Sequence, residues 1–214
     1  MPAFDPYAAR AQFPILSRTV NGKPLVYLDS AASAQKPRAV IDALTAAMEH
    51  SYANVHRGLH YLSNLATEKY EAVRGKIARF LNAASEDEIV LNSGTTEGIN
   101  MIAYAWAMPR MHAGDEIVLS VLEHHANIVP WQMLRDDRGN PLRVCRVTDS
   151  GELDMEDLAA KLADGKVGLV ALAHMSNVLG TVTPVERVVA MAHAHGAKVL
   201  LDGSQAVVHR RVDV

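Results

Sequence analysis

The chain has 214 residues, of which 49% are hydrophobic and 21% are charged, and its formal net charge is -3. This composition is typical of one sizeable globular domain, and the slight acidity, with no basic cluster beyond 209–211, excludes an electrostatic footprint for nucleic acid. No apolar run approaches the roughly 20 residues of a membrane span, so we expect neither nucleic acid nor a membrane as a partner.

Residues 1–60 are predicted to form an N-terminal arm and helix. The first residues, MPAFDPYAARAQFPIL, lack the basic-then-apolar layout of a secretory signal. Further along, PLVYLD (24–29) is rich in β-forming residues and predicts a strand. A single cysteine, Cys145, excludes an internal disulfide and suits a reducing compartment, so we expect a cytoplasmic protein.

Residues 61–214 alternate between β-rich runs and helical patterns. The predicted strands are 87–92, 115–121, 141–147, 167–175 and 197–202. The predicted helices are 67–83, 96–108, 126–137, 154–165 and 183–196. Strands that alternate with helices indicate βαβ units, so we predict an α/β fold with a mostly parallel sheet and flanking helices.

Ligands of parallel sheets bind beyond the carboxyl ends of the strands, so the polar motifs at those ends are interpreted together. After strand 87–92 comes Ser93-Gly94-Thr95-Thr96 and then a helix. Gly94 permits a tight turn, while Thr95 and Thr96 offer hydroxyls beside free helix-start N–H groups, which together favour an anion such as phosphate. A simple threonine N-cap is the alternative. The motif is neither a P-loop nor GxGxxG, which disfavours a nucleoside triphosphate or NAD.

After strand 115–121 comes LEHHAN, with Glu123, His124, His125 and Asn127. Three interpretations stay open at this point. Adjacent histidines point in different directions, so a metal site of the HExxH kind is the weakest. A structural histidine is the second. The third is an imidazole that lies over a flat cofactor.

The last two strands end in an amide and an acid. Asn177 lies beyond strand 167–175 and is also a common turn residue. Asp202 and Gln205 follow strand 197–202. Burying an isolated acid at an apolar strand end is costly unless it has a positive partner, which could be an arginine, a metal or a protonated ring nitrogen.

One ligand fits all four strand ends, namely pyridoxal 5'-phosphate (PLP). It is a flat heteroaromatic with a phosphate for Thr95 and Thr96. Its pyridine nitrogen must stay protonated for the ring to act as an electron sink, and an acid such as Asp202 provides for that.

At this point the motifs resemble a known family. YLDSAASAQKP, VHRGLH, GTTEGIN, EHHANIVPWQ, SNVLGT and DGSQAVVH are similar, in order, to those of Suf-type (group II) cysteine desulfurases, which are fold-type I PLP enzymes. The resemblance implies that residues 61–214 are the N-terminal part of the large PLP-binding domain. It also implies individual roles. Thr95 and Thr96 would hold the phosphate, and Asp202 would pair with the pyridinium. His124 would stack on the ring as the catalytic proton shuttle, while Asn177 and Gln205 would hydrogen-bond the phenolic oxygen. His56 and Arg57 would lie at a dimer-related edge of the pocket.

The chain departs from the family pattern in its length. Family members are roughly twice as long, and they carry an SGHK lysine that holds PLP, a mobile-loop cysteine that becomes a persulfide and a carboxylate-binding arginine. None of these motifs occurs here, and Cys145, in the middle of LRVCRV, is predicted to be a packed core thiol. We therefore expect the chain to be an N-terminal half that is inactive by itself.

Two function classes follow. The first is a cysteine desulfurase, by resemblance a homodimer, that converts L-cysteine to L-alanine and passes persulfide sulfur to an acceptor protein for iron–sulfur cluster assembly. A selenocysteine lyase or another fold-type I lyase is a close variant. The second is a non-catalytic PLP- or partner-binding half-domain. An in-frame SGHK in the DNA beyond the codon for Val214 would favour the first class, and a stop codon would favour the second.

Overall fold

The structure, a computed structural model, describes residues 3–214, so the first two residues of the predicted arm lie outside the described residues. The chain divides into two compact units, one ending at Ile89 and the other comprising Val90–Val214. The domain boundary predicted between residues 60 and 61 stays a prediction.

The first unit is mainly helical. Its helices are α1 (Pro6–Ala11), α2 (Arg38–His50) and α3 (Tyr61–Leu81), and its two short antiparallel strands are β1 (Thr19–Val20) and β2 (Lys23–Pro24). The helix predicted over 67–83 is confirmed as α3, although it begins earlier, at Tyr61. It ends at Leu81, and the next residue, Asn82, has a left-handed φ of 57°, a conformation that commonly terminates helices.

Two predicted strands in this part of the chain are wrong. Of 24–29 only Pro24 belongs to a strand, and the side chains of Val26 and Leu28 are 73% and 91% exposed. In 87–92, the first two residues belong to a 3₁₀ turn (Glu86–Glu88), and no strand of the described chain pairs with the remainder. Both runs have β-forming composition, but a strand also needs a neighbour to accept its hydrogen bonds.

The second unit contains a four-stranded, fully parallel sheet. Its strands are β3 (Glu116–Ser120), β4 (Leu142–Cys145), β5 (Val167–Ala173) and β6 (Lys198–Asp202), in the order β4-β3-β5-β6. The predicted α/β class and parallel sheet are confirmed. Ser120 lies opposite Cys145, and Ala173 lies opposite Asp202. The carboxyl ends of all four strands therefore lie together and form one edge of the sheet.

Helices precede and follow these strands as the sequence predicts. They are α4 (Thr95–Ile102), which continues through a π-helical turn (Ala103–Ala107) into α5 (Met108–Arg110), then α6 (Val129–Arg138), α7 (Met155–Leu162), α8 (Val185–Ala194) and α9 (Ala206–His209). Asp154 caps α7, because its side chain accepts the N–H groups of Glu156 and Asp157.

Both faces of the sheet are covered, as is usual for parallel sheets. Alternate residues of β3 point to opposite faces, so Ile117 joins Trp131 in one buried cluster and Val118 joins Cys145 in the other. The first cluster includes residues of α4 and α6, and the second includes residues of α7 and α8. Across residues 3–214 no helix combines the length and the apolar character needed to cross a membrane.

Candidate functional site

The carboxylate of Asp202 ends β6 and is buried, with only 8% of the residue exposed. The backbone N–H and the hydroxyl of Ser204 both donate to its Oδ1 atom, at 3.0 Å and 2.6 Å. The other carboxylate oxygen, Oδ2, accepts no hydrogen bond from a residue within 3–214. One oxygen of a buried carboxylate is therefore left for another donor.

A hydrogen bond links this acid to the start of α4. The Thr95 and Ser204 hydroxyls lie 2.7 Å apart, although the two residues are 109 positions apart in sequence. Gly94 precedes the helix with a φ of 125°, which favours glycine. Thr95 and Thr96 are exposed, and the first N–H groups of a helix have no partner within the helix. The result is an exposed helix N-terminus tied to a buried acid.

The loop before α4 is held by one of its own side chains and by one from the first turn of the helix. The Ser93 N–H donates to Glu97 at 2.5 Å, and the Gly94 N–H donates to Asn92 Oδ1 at 2.9 Å. The hydrogen bond from the Ser93 backbone lowers the pKa of Glu97. These contacts fix the loop that presents Thr95 and Thr96.

His124 lies just beyond β3, at the start of a 3₁₀ turn (His125–Asn127), and its side chain is exposed. Its Nδ1 atom accepts the Ala126 N–H at 3.1 Å. The neighbouring ring of His125 is also exposed, and the two ring centroids are 5.8 Å apart. No group of three or more His, Cys, Asp and Glu side chains that could hold a metal ion occurs among the described residues.

Asn177 and Gln205 also follow strands that end at this edge. Asn177 is exposed in the turn after β5, where the Ser176 hydroxyl accepts the N–H groups of Val178 and Leu179. Gln205 is half-buried and precedes α9. Among the described residues no hydrogen bond joins Asn177 to the Asp202–Ser204–Thr95 chain.

His56 and Arg57 lie in the first unit and both have positive φ, 58° and 50°. Such angles are unfavourable for residues with a Cβ. The His56 N–H donates to Thr67 Oγ1 at 2.8 Å, and its ring Nε2 lies 2.6 Å from Glu71 Oε1. This hydrogen bond from His56 is the main cause that lowers the pKa of Glu71. The contacts hold the turn in its strained conformation.

Sequence reasoning assigned no role to Ser204, which bridges the predicted acid and the predicted phosphate site. Asp-x-Ser spacing after a strand is a recognised turn pattern and predicts the local bond to Asp202. It gives no signal for the distant partner Thr95. The buried partners of Glu123 are only three and four residues away from it, and they were missed because the sequence does not indicate that this acid is buried.

The lysines of the second unit lie away from this edge. Lys198 is the first residue of β6, and Lys166 directly precedes β5, so both are at the amino ends of strands. Lys161 lies in α7, where its Nζ is 2.6 Å from Asp157 Oδ2. A five-residue strand is about 13 Å long, which separates the two edges of the sheet.

Cys145 is fully buried in β4, as the sequence predicts. Burial, followed by the nearby charge of Asp157, raises the pKa of its thiol to about 12. The thiolate is the nucleophilic form of cysteine, so this side chain is a poor sulfur acceptor.

We expect iodoacetamide at pH 8 to alkylate Cys145 on the order of a thousandfold more slowly in the folded chain than in denaturant, because an ordinary thiol has a pKa of about 8.5. The rate in the folded chain should keep rising with pH above 10, since the thiolate fraction grows up to a pKa of about 12. Mass spectrometry of timed samples measures both rates. Labelling of the folded chain at the denatured rate would contradict the buried assignment.

A profile of the class V aminotransferase family matches residues 26–214. Cysteine desulfurases of Salmonella typhimurium (strain LT2) and Salmonella newport (strain SL254) are each 57% identical to the chain over 205 residues. Each alignment covers 96% of this chain and 50% of the relative. The chain thus spans about half the length of the curated relatives it matches.

Solved structures give a similar result. The cysteine desulfurase CsdA from Escherichia coli is 41% identical, with a TM-score of 0.84 over 99% of this chain and 52% of that chain. The apo cysteine desulfurase from Thermococcus onnurineus NA1 is 33% identical, with a TM-score of 0.90 over 100% of this chain and 51% of that chain.

Proposed function

The chain belongs to the class V aminotransferase family, and on that premise we propose that it is the N-terminal, PLP-binding part of a cysteine desulfurase. The observation that carries the proposal is the hydrogen-bonded chain from Asp202 through Ser204 to Thr95. It joins a buried acid, suited to a protonated ring nitrogen, to a helix N-terminus suited to a phosphate. The similarity to cysteine desulfurases supports the choice of reaction.

The residues present fit PLP in two respects. Asp202 keeps one carboxylate oxygen outside its bonds to Ser204, and burial strengthens its attraction for a cation. Thr95 and Thr96 offer hydroxyls and backbone N–H groups at the positive end of α4. The fit is to a ligand with a basic ring nitrogen and a phosphate.

PLP supplies an electron sink for bonds to the α-carbon of a bound amino acid. The roles proposed for this chain's residues are to hold that group and orient it. Asp202 keeps the ring nitrogen protonated, and Thr95 and Thr96 bind the phosphate. Asn177 and Gln205 donate hydrogen bonds to the phenolic oxygen. His124 stacks on the ring and acts as the proton shuttle for the substrate.

For the whole protein we propose the desulfurase reaction of the Suf type. L-cysteine gives L-alanine, and the sulfur is passed as a persulfide to an acceptor protein for iron–sulfur cluster assembly. We further propose a cytoplasmic homodimer in which His56 and Arg57 border the partner's pocket. The PLP-binding domain would comprise residues 61–214. These features are supported by the Suf-type motifs of the chain.

The proposal is tested by titrating the 214-residue chain with PLP and following the cofactor's absorbance. We expect saturable binding of one PLP per chain, competition by inorganic phosphate, and binding of pyridoxal, which lacks the phosphate, that is at least tenfold weaker. Thr96→Val should weaken PLP binding about tenfold, because a hydrogen bond to a charged group contributes about 1.5–3 kcal/mol.

Thr45→Val is the matched control, since Thr45 is an exposed helix residue of the first unit whose hydroxyl donates to the Ile41 carbonyl of the same helix, α2. It should bind PLP like the unchanged chain. Equal binding of PLP and pyridoxal, with no effect of phosphate, would refute the proposed phosphate site.

A further inference from the structure

A chain of buried polar side chains lies beneath the turn that carries His124. We call it the Glu123 chain; its members are Ser120, Glu123, Asn127 and Trp131. The Ser120 hydroxyl donates to Glu123 Oε1 at 2.6 Å, and Asn127 Nδ2 donates to Oε2 at 2.7 Å. Trp131 Nε1 in turn donates to Asn127 Oδ1 at 2.9 Å. All four residues are buried.

Burying a carboxylate costs free energy unless hydrogen-bond donors satisfy it. The donors of Glu123 therefore show which parts of the chain this side chain holds together. Burial raises the pKa of the Glu123 carboxyl against the hydrogen bonds from Ser120, Asn127 and the Ala173 backbone, and the charge of Asp202 adds to the rise. Ser120 ends β3. Through its bonds with Ser120 and Asn127, Glu123 therefore ties the end of β3 to the turn that follows it.

The orientation of the His124 ring depends on this turn. Its Nδ1 atom accepts the N–H of Ala126, a buried residue between Glu123 and Asn127. A neutral imidazole has one nitrogen that accepts and one that donates. Because Nδ1 accepts, the ring hydrogen is on Nε2.

We propose that Glu123 is a positioning residue, which fixes the His124 ring with Nδ1 on the Ala126 N–H so that Nε2–H is the group offered to the bound ligand. The inference rests on the proposed function. It specifies the contact that His124 makes with the ligand there: Nε2–H donates a hydrogen bond, while Nδ1 accepts the Ala126 N–H.

The test is NMR of the cofactor-free 214-residue chain labelled with ¹⁵N-histidine, with His124 assigned by the loss of its signals in His124→Gln. The two-bond and three-bond correlations to ring protons distinguish the two tautomers. We expect the Nε2–H form in the unchanged chain. Glu123→Gln should keep that form, because a carboxamide still accepts from Asn127 and can donate to Ser120. Glu123→Ala should give a mixture that includes Nδ1–H.

Two further variants guard against a general loss of stability. Trp131→Phe removes the Nε1–H that orients the Asn127 amide, together with part of a buried ring, and it should shift His124 in the same direction as Glu123→Ala. Asn140→Ala is the matched control, because Asn140 is a buried amide whose Nδ2 donates to the carbonyls of His112 and Asp115 before β3. It should lower stability and leave the His124 tautomer unchanged.

A His124 tautomer that is Nδ1–H in the unchanged chain, or one that Glu123→Ala and Asn140→Ala leave equally unchanged, would overturn the inference. PLP titrations separate this from failure of the proposed function. If Glu123 positions His124, Glu123→Ala should bind PLP about tenfold more weakly because the His124 ring is misplaced. Glu123→Gln should bind PLP like the unchanged chain. A chain with the Nε2–H tautomer and no PLP binding would refute the proposed function and retain the geometry of His124.

Discussion

Asp202→Asn should weaken PLP binding by the chain about 10- to 100-fold. The asparagine Oδ1 can still accept both hydrogen bonds from Ser204, so the turn after β6 is retained. What is lost is the negative charge that we propose pairs with the protonated ring nitrogen, and a hydrogen bond to a charged group contributes about 1.5–3 kcal/mol. The titration used for Thr96→Val measures the change.

Asp136→Asn is the charge-matched control for this variant. Asp136 is an exposed acid in α6 that pairs with Arg135. Its substitution changes the net charge equally, and we expect PLP binding to stay within about twofold of that of the unchanged chain because exposed ion pairs contribute little. If Asp202→Asn behaved like Asp136→Asn, the carboxylate at the tip of β6 would have no role in binding the ring nitrogen.

The 214-residue chain supplied with PLP should show no cysteine desulfurase turnover above PLP alone in buffer. The reaction needs an amine at the cofactor and an activated thiolate. Lys166 and Lys198 lie at the opposite edge of the sheet from Asp202, and Cys145 is buried with a thiol pKa of about 12. Neither group is in place for the chemistry.

Alanine and sulfide formation from L-cysteine measure this turnover, with a full-length cysteine desulfurase as the positive control. Enzymes of ordinary efficiency turn over at about 1 to 10³ s⁻¹, which is far above the detection limit of either assay. If the chain released sulfide at such a rate and Cys145→Ala abolished the release, this chain would require a different catalytic assignment.

The central sheet could be predicted from sequence because its strands are short apolar runs bounded by turn residues and separated by helical periodicity. Strands β3, β4, β5 and β6 all fall within the predicted ranges. Parallel pairing then requires their carboxyl ends to share an edge, so Asp202 and Asn177 could be placed at one edge without coordinates.

Two of the failures share a physical cause, which is that local composition does not specify a distant partner. The run 87–92 has strand-like residues, but the Ile89 carbonyl accepts from the Arg74 side chain at 3.1 Å rather than from a neighbouring strand. The bond between Thr95 and Ser204 likewise joins residues 109 positions apart. Nothing in either local sequence indicates these contacts, since they depend on how separate elements pack.

The sequence pattern also did not predict the buried polar contacts of Glu123. A glutamate before two histidines looks like a solvated or metal-binding acid, whereas the structure buries it against Ser120 and Asn127. Burial of a charged residue is uncommon and depends on donors that the fold supplies. Only the folded arrangement shows that those donors are present.

The most direct test of the proposed PLP site is a crystal structure of the 214-residue chain grown with PLP. We expect the phosphate to lie at the N-terminus of α4, within hydrogen-bond distance of Thr95 and Thr96, and the pyridine nitrogen to contact the Asp202 carboxylate. PLP bound elsewhere, with its ring nitrogen in solvent and Asp202 bonded only to Ser204, would contradict it.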